Sequence, residues 1–176
     1  MKESVNEMTL LSRKDINVDV IFRPTSQMGM SALDIILKHK ELSDRYGSTW
    51  LGTNLNFSQF KIRYIDKNGY DIRVLFVNND NEEKEHIVIY SAELIDIITY
   101  SNRRRGSVRY DENLIPIYYI FDDKKCWLKL TNFKKLRKDE IKIQDYKLLF
   151  RADEVSVEDS LKNGQCCLMY AYREII

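Results

Sequence analysis

Between Ile16 and Phe22 apolar and polar positions alternate. Ile16, Val18 and Val20 fall on one side, Asn17 and Asp19 on the other, and the run stops at Phe22-Arg23-Pro24. A period of two predicts a strand with one buried face, closed by a proline that cannot extend a ladder. Ser31 opens a different period. Its hydroxyl can accept from the open amides of a first helical turn, Asp34 can reach back in a capping box, and Gly47 supplies the stop. Leu33, Ile36 and Leu37 share a face, so the spacing predicts a helix over 31–46.

Further along, Phe60, Ile62 and Tyr64, then Tyr70, Ile72, Val74 and Phe76, flank Asp66-Lys67-Asn68-Gly69. Asn-Gly tolerates the positive φ of a tight turn, and a β-hairpin is predicted. His86 to Tyr90 reads as a third strand after an acidic loop at 78–85. Ser91 then caps a second helix, with Leu94, Ile97 and Ile98 at helical spacing. A second hairpin joins Ile115–Phe121 to Cys126–Leu130 across Asp122-Asp123-Lys124-Lys125. Residues 132–151 read as polar loop with a short strand at Ile141–Ile143. Asn163-Gly164 turns the chain into an apolar strand, Cys166–Glu174. Residues 24–30, Trp50–Phe57 and 102–113 read as loops, and the first 14 residues carry only a weak signal around Val5–Leu11.

The order β-α-β-β-β-α-β-β-(β)-β, built from hairpins rather than βαβ crossovers, predicts an α+β fold. The expectation is a single domain over 1–176, a mostly antiparallel sheet with two main helices. Composition agrees with an ordered core: 176 residues, 44% apolar and 31% charged, with only six glycines and two prolines. Cys126, Cys166 and Cys167 fit neither a disulfide framework nor a CxxC zinc pair, and read as small buried apolar residues. No apolar run reaches the ~18 residues that span a bilayer, and Met1–Asn6 lacks the basic start of a signal peptide. A cytoplasmic location with no membrane partner is expected, in the protein's own cell or in an infected one.

Charge changes the picture. The formal net charge is +1, from 28 Lys plus Arg against 27 Asp plus Glu. Residues 101–151 hold 14 of those basic residues and only 7 acidic ones, so the remainder is acidic. Arg103, Arg104, Arg105 and Arg109 sit on one loop, and Lys124, Lys125, Lys129, Lys134, Lys135, Arg137 and Lys138 extend the series. Guanidinium forks pair bidentately with phosphate. Tyr100, Tyr110, Tyr118, Tyr119 and Trp127 are interleaved with these cations, as base stacking requires. Trp50, Tyr100, Tyr110 and Trp127 are the stacking candidates.

Catalytic chemistry has less support. His39 lies in a Lys-His-Lys run and His86 starts a strand, with no nucleophile or carboxylate beside either. No ligand spacing suits a metal, and no glycine-rich phosphate loop occurs, so no cofactor is expected. Glu140-Ile141-Lys142 with Asp122 or Asp123 upstream offers an E-x-K pattern for a Mg²⁺-dependent nuclease, the third choice. The second is a phage- or virus-encoded inhibitor or adaptor that occludes a host enzyme. For this, the arginine loop, or the acidic residues 80–85 with Asp153, Glu154, Glu158 and Asp159, would form the docking face. The favoured reading is a non-enzymatic module that binds DNA or RNA.

Three stretches, Cys126-Trp127-Leu128-Lys129-Leu130-Thr131-Asn132-Phe133, Tyr146-Lys147-Leu148 and Ser160-Leu161-Lys162-Asn163-Gly164-Gln165-Cys166, look like the late strands of EVE/PUA-like domains. The similarity covers about 50 of the 176 residues, and the N-terminal half shows no matching pattern. Those domains read modified bases, including in modification-dependent restriction. The resemblance implies an aromatic pocket for a flipped base, with Trp50 and Trp127 as walls and the basic face along the backbone.

Overall fold

The computed structural model describes residues 15–25, 27, 29–78, 86–100, 104–151, 153–162 and 168–175. Arg103, Cys166, Cys167, the Asn163-Gly164 turn, the acidic residues 80–85 and the Val5–Leu11 segment lie outside them. The fold is α+β, built on one seven-stranded sheet. In chain order the elements are β1 (Ile16–Phe22), α1 (Ala32–Tyr46), β2 (Thr49–Thr53), α2 (Gln59–Lys67), β3 (Arg73–Val77), β4 (Val88–Thr99), β5 (Cys126–Lys135), β6 (Lys147–Leu148), α3 (Val157–Lys162) and β7 (Leu168–Glu174). Short 3-10 turns occupy Arg109–Leu114, Ile117–Tyr119 and Ile143–Asp145. The strands lie in the order β2-β5-β4-β3-β1-β7-β6.

Local signals held where the caps are strong. Ser31 and Asp34 close a reciprocal capping box on α1, and Gly47 ends the helix at φ 86°. β1 forms over the expected residues, but both of its faces are buried rather than one, Asp19 and Ile21 included. Six assignments are corrected. Residues 60–64 are not a strand but part of α2, capped by Ser58, and Gly69 at φ 83° follows a helix end rather than a hairpin. Ser91–Ile98 is not a helix but the middle of the twelve-residue β4. The first part of Trp50–Phe57, read as loop, belongs to the fully buried strand β2, Thr49–Thr53. Residues 115–121 form no strand, and Ile141–Ile143 gives way to a 3-10 turn. Finally, β1 and β3 are parallel, so a crossover through α1, β2 and α2 exists after all.

Both faces of the sheet are covered, which sets the packing. Val18, Val20 and Phe22 of β1, Val74 and Phe76 of β3, and Leu128 and Leu130 of β5 pack with Ile36 of α1 and Ile62 and Ile65 of α2. The opposite side of β1 and β3, Ile21, Leu75 and Val77, meets Ile143, Tyr146, Val157 and Leu161. A third cluster, Trp50, Val108, Ile115, Tyr119 and Trp127, lies under the segment that precedes β5. Among the described residues no helix is long and apolar enough to cross a membrane.

His39 of α1 is buried between these layers, its ring 5.9 Å from that of Tyr119. Its Nδ1 lies 2.7 Å from the Ile35 carbonyl oxygen, so the neutral ring donates from Nδ1. Burial lowers its pKa to about 4, against the opposing pull of the Ile35 and Trp50 backbone. An unfolded imidazole titrates near 6.5. As pH falls through that value the unfolded chain takes up a proton that the folded ring refuses, and stability drops until about pH 4. At pH 4.5 the loss is on the order of 2 kcal/mol. Urea unfolding at pH 7 and pH 4.5 checks this: His39→Leu abolishes that share of the acid destabilisation. Equal losses in variant and parent would refute it.

Candidate nucleic-acid interface

The basic residues that are close in sequence separate in space. Lys124 and Lys125 precede β5, whereas Lys134, Lys135, Arg137 and Lys138 sit at its far end. Ten strand residues at 3.3 Å each put about 30 Å between the two groups. The first group is nearly balanced. Between positions 104 and 125, five cations face Asp111, Glu112, Asp122 and Asp123. Lys124 pairs with Asp122 at 3.0 Å, and Arg109 approaches Asp123 at 3.8 Å. At the far end Lys134 pairs with Glu140 at 2.9 Å, while Lys135, Arg137 and Lys138 rim an open hollow. Lys129, midway, sits 3.7 Å from Asp111 and over the Trp50 ring at 5.2 Å.

Both tryptophans belong to the core, which corrects their assignment as stacking platforms or pocket walls. Trp50 is buried, with its indole N–H donated to Asp111 Oδ2 at 2.8 Å. Trp127 is fully buried and donates to the Gly106 carbonyl at 2.7 Å. Tyr100 lies along Gly106, where a Cβ would fall inside its ring, and donates to the Ser107 carbonyl at 3.1 Å. Of the four stacking candidates only Tyr110 presents an open ring, 71% exposed. Tyr119 is buried and donates to Gln27 at 2.8 Å, and burial pushes its hydroxyl up to about 12. The thiol of buried Cys126 is likewise pushed up to about 12 by burial, which makes it a poor nucleophile at neutral pH.

The nuclease arrangement is not assembled. Glu140 accepts from Lys134 and from the Arg137 backbone N–H at 3.0 Å; the Arg137 bond leads in holding its pKa below the usual carboxylate value. Asp122 and Asp123 lie at the opposite end of β5. Among the described residues no three His, Cys, Asp or Glu side chains are grouped to hold a metal ion.

The loop carrying Arg104 and Arg105 is tied down by a two-way backbone bridge. Gly106 N–H donates to the Lys124 carbonyl at 3.0 Å, and Lys124 N–H donates to that of Gly106 at 2.9 Å. Lys124 in turn lines a cleft of about 280 Å³. Phe22, Pro24, Ile35, Leu51 and Leu55 give the cleft apolar walls, and Gln27, Thr53, Asn54 and the Tyr119 ring supply polar and aromatic groups. The Lys124 ammonium stands 5.0 Å from the centre of that ring. Asn54 Oδ1 accepts the Lys125 backbone N–H at 3.4 Å, closing the rim.

Gly52 also lines the cleft, and a Cβ there would meet the Lys124 side chain at 2.7 Å and the Trp127 ring at 2.8 Å. Sequence reasoning missed the cleft because its residues come from the end of β1, from β2 and from the turn before β5, with no shared spacing. A wider groove of about 540 Å³ between α2 and β4 is lined by charges of both signs: Arg63, Arg73, Asp66, Asp71, Glu93 and Asp96. Comparison of the chain with protein-family models, curated proteins and solved structures yields no match.

Proposed function

We propose that the protein is a non-enzymatic nucleic-acid-binding module whose contact surface is the cleft beside Lys124 together with the exposed Arg104 and Arg105. The observation that supports this reading is the Gly106–Lys124 bridge, which ties the backbone next to Arg105 to Lys124, a residue that lines a concave, partly apolar site. Neither arginine side chain makes a hydrogen bond or ion pair with another described residue, so their forks are open to phosphate oxygens. The cleft combines apolar walls and a few convergent polar groups, with the buried Tyr119 ring behind the Lys124 ammonium, the makeup of a site for one small flat group. An unstacked base fits that chemistry, with Tyr110 as an outer ring for its neighbour. The bases of a closed duplex cannot enter, so an unpaired or extruded nucleotide is the favoured substrate. The proposed role is that of a base reader, in the restriction or defence setting that the EVE/PUA-like resemblance implies.

Anisotropy of short labelled oligonucleotides tests this at two salt concentrations. A strand with one unpaired base binds more tightly than a fully paired one. Arg104→Ala with Arg105→Ala reduces the salt slope by about 1.5 to 2. Replacing Lys134, Lys135, Arg137 and Lys138 with alanine leaves a five-nucleotide ligand almost unaffected, because these residues lie about 30 Å away along β5. No binding at low salt would overturn the reading.

A further inference from the structure

The turn that leads into β5 exposes two large apolar side chains where the core is already complete. Ile115 and Tyr119 point inward and are buried, while Ile117 and Phe121 are each 82% exposed. They lie four residues apart along a helical turn that starts after Pro116. Arg109 is fastened across this surface. Its Nε donates to the Ile120 carbonyl at 3.3 Å and its Nη2 to that of Phe121 at 3.2 Å, with the guanidinium 5.9 Å from the Phe121 ring centre. Asp123 lies 3.8 Å from Arg109, and both side chains remain about half exposed. The neighbouring Asp122 is already matched by Lys124 at 3.0 Å. The surface therefore offers two apolar anchors beside one half-exposed charge of each sign.

We propose that this surface is a two-fold interface between two copies of the chain. A patch that meets its own copy about a two-fold axis must be complementary to itself, with residue i facing j while j faces i. One plus and one minus beside an apolar pair satisfy that condition: Arg109 of each copy faces Asp123 of the other, and Phe121 packs against the second copy's Ile117. A polyanion or a strongly basic partner would leave one of the two charges opposed by its own sign. Aromatic and arginine side chains are also the types that dominate association energy. The proposal does not depend on the nucleic-acid reading.

Sedimentation of the full chain from about 1 to 500 μM tests it, a range that spans weak to moderate association. The mass rises with concentration from 21.0 kDa toward twice that value. Phe121→Ser weakens dimerisation by about thirtyfold or more. Folding is unaffected, since that ring is exposed. Arg109→Asp and Asp123→Arg each abolish self-association when alone, because every facing pair then repels. An equimolar mixture of the two variants restores a dimer, because both pairs become opposite in sign. A single-chain mass at every concentration, a dimer indifferent to Phe121→Ser, or a mixture that stays monomeric would each overturn the proposal.

Discussion

Cutting Trp127 back to alanine is expected to lower the unfolding free energy by about 3–5 kcal/mol, the range for removing a large buried aromatic. The ring is fully buried in the cluster with Trp50, Val108, Ile115 and Tyr119. It lies against Gly52 of the neighbouring strand so closely that the absence of a Cβ there is a condition of the fit. Its N–H also ties Gly106, and hence the arginine loop, to the sheet. Trp127→Phe keeps most of the ring and loses that bond, at about 1–2 kcal/mol. Chemical denaturation separates this from a stacking role. A base-stacking tryptophan would lose affinity while its unfolding midpoint stayed in place. A stable Trp127→Ala variant with weakened oligonucleotide binding would contradict the buried assignment.

Arg73→Ala is the second large effect, at about 3 kcal/mol. Asp19 of β1 is only 1% exposed. It is held by Arg73 of the parallel neighbour β3 through Nε at 2.8 Å and Nη2 at 3.0 Å. Tyr146 completes the set, its hydroxyl donating to Asp19 Oδ2 at 2.6 Å. Burial first, then Asp19, raises the tyrosine pKa and keeps that proton in place. Removing the arginine strands a buried carboxylate, which typically costs about 3–5 kcal/mol. The lower end applies because the Arg73 side chain is 35% exposed. Tyr146→Phe removes one charge-assisted bond and loses about 1.5–3 kcal/mol. Replacing the pair together, Asp19→Leu with Arg73→Met, recovers much of the stability, since no unpaired charge remains. Urea midpoints for the three variants check the ranking. An Arg73→Ala variant as stable as the parent would show that Asp19 finds another partner.

What could be read along the chain was what local chemistry decides alone. The Ser31 box and Gly47 stop specify α1 without reference to the rest of the fold. β4 could not be read in the same way. Its ladder to β5 slips between Ser91 and Glu93 and again between Leu94 and Asp96. Each slip disrupts strict alternation and leaves Leu94, Ile97 and Ile98 at a spacing that imitates a helix. The segment 60–64 is ambiguous for a related reason. Ile62 and Ile65 are the buried positions of α2, but the exposed Phe60 supplied a false third member of an alternating set. β2 is covered on both sides, so its Thr-Trp-Leu-Gly-Thr lacks the polar half of a strand pattern.

The site was legible as a composition and not as a shape. The run Arg103 to Lys138 predicted a basic face, yet β5 carries its two halves to opposite ends. Interleaved aromatics signalled ring chemistry, but most of those rings serve the core.

The position of β1 bears on synthesis of the chain. β1 is flanked by β3, more than fifty residues later, and by β7, about a hundred and fifty residues later, with pairing from Ile16↔Glu174 to Phe22↔Leu168. Until β7 is made, one side of an Ile-Asn-Val-Asp-Val-Ile-Phe strand has its amides and carbonyls open to any extended neighbour. A nascent or prematurely ended product therefore exposes an apolar, unpaired strand edge for most of translation, and closing that edge is among the last events of folding.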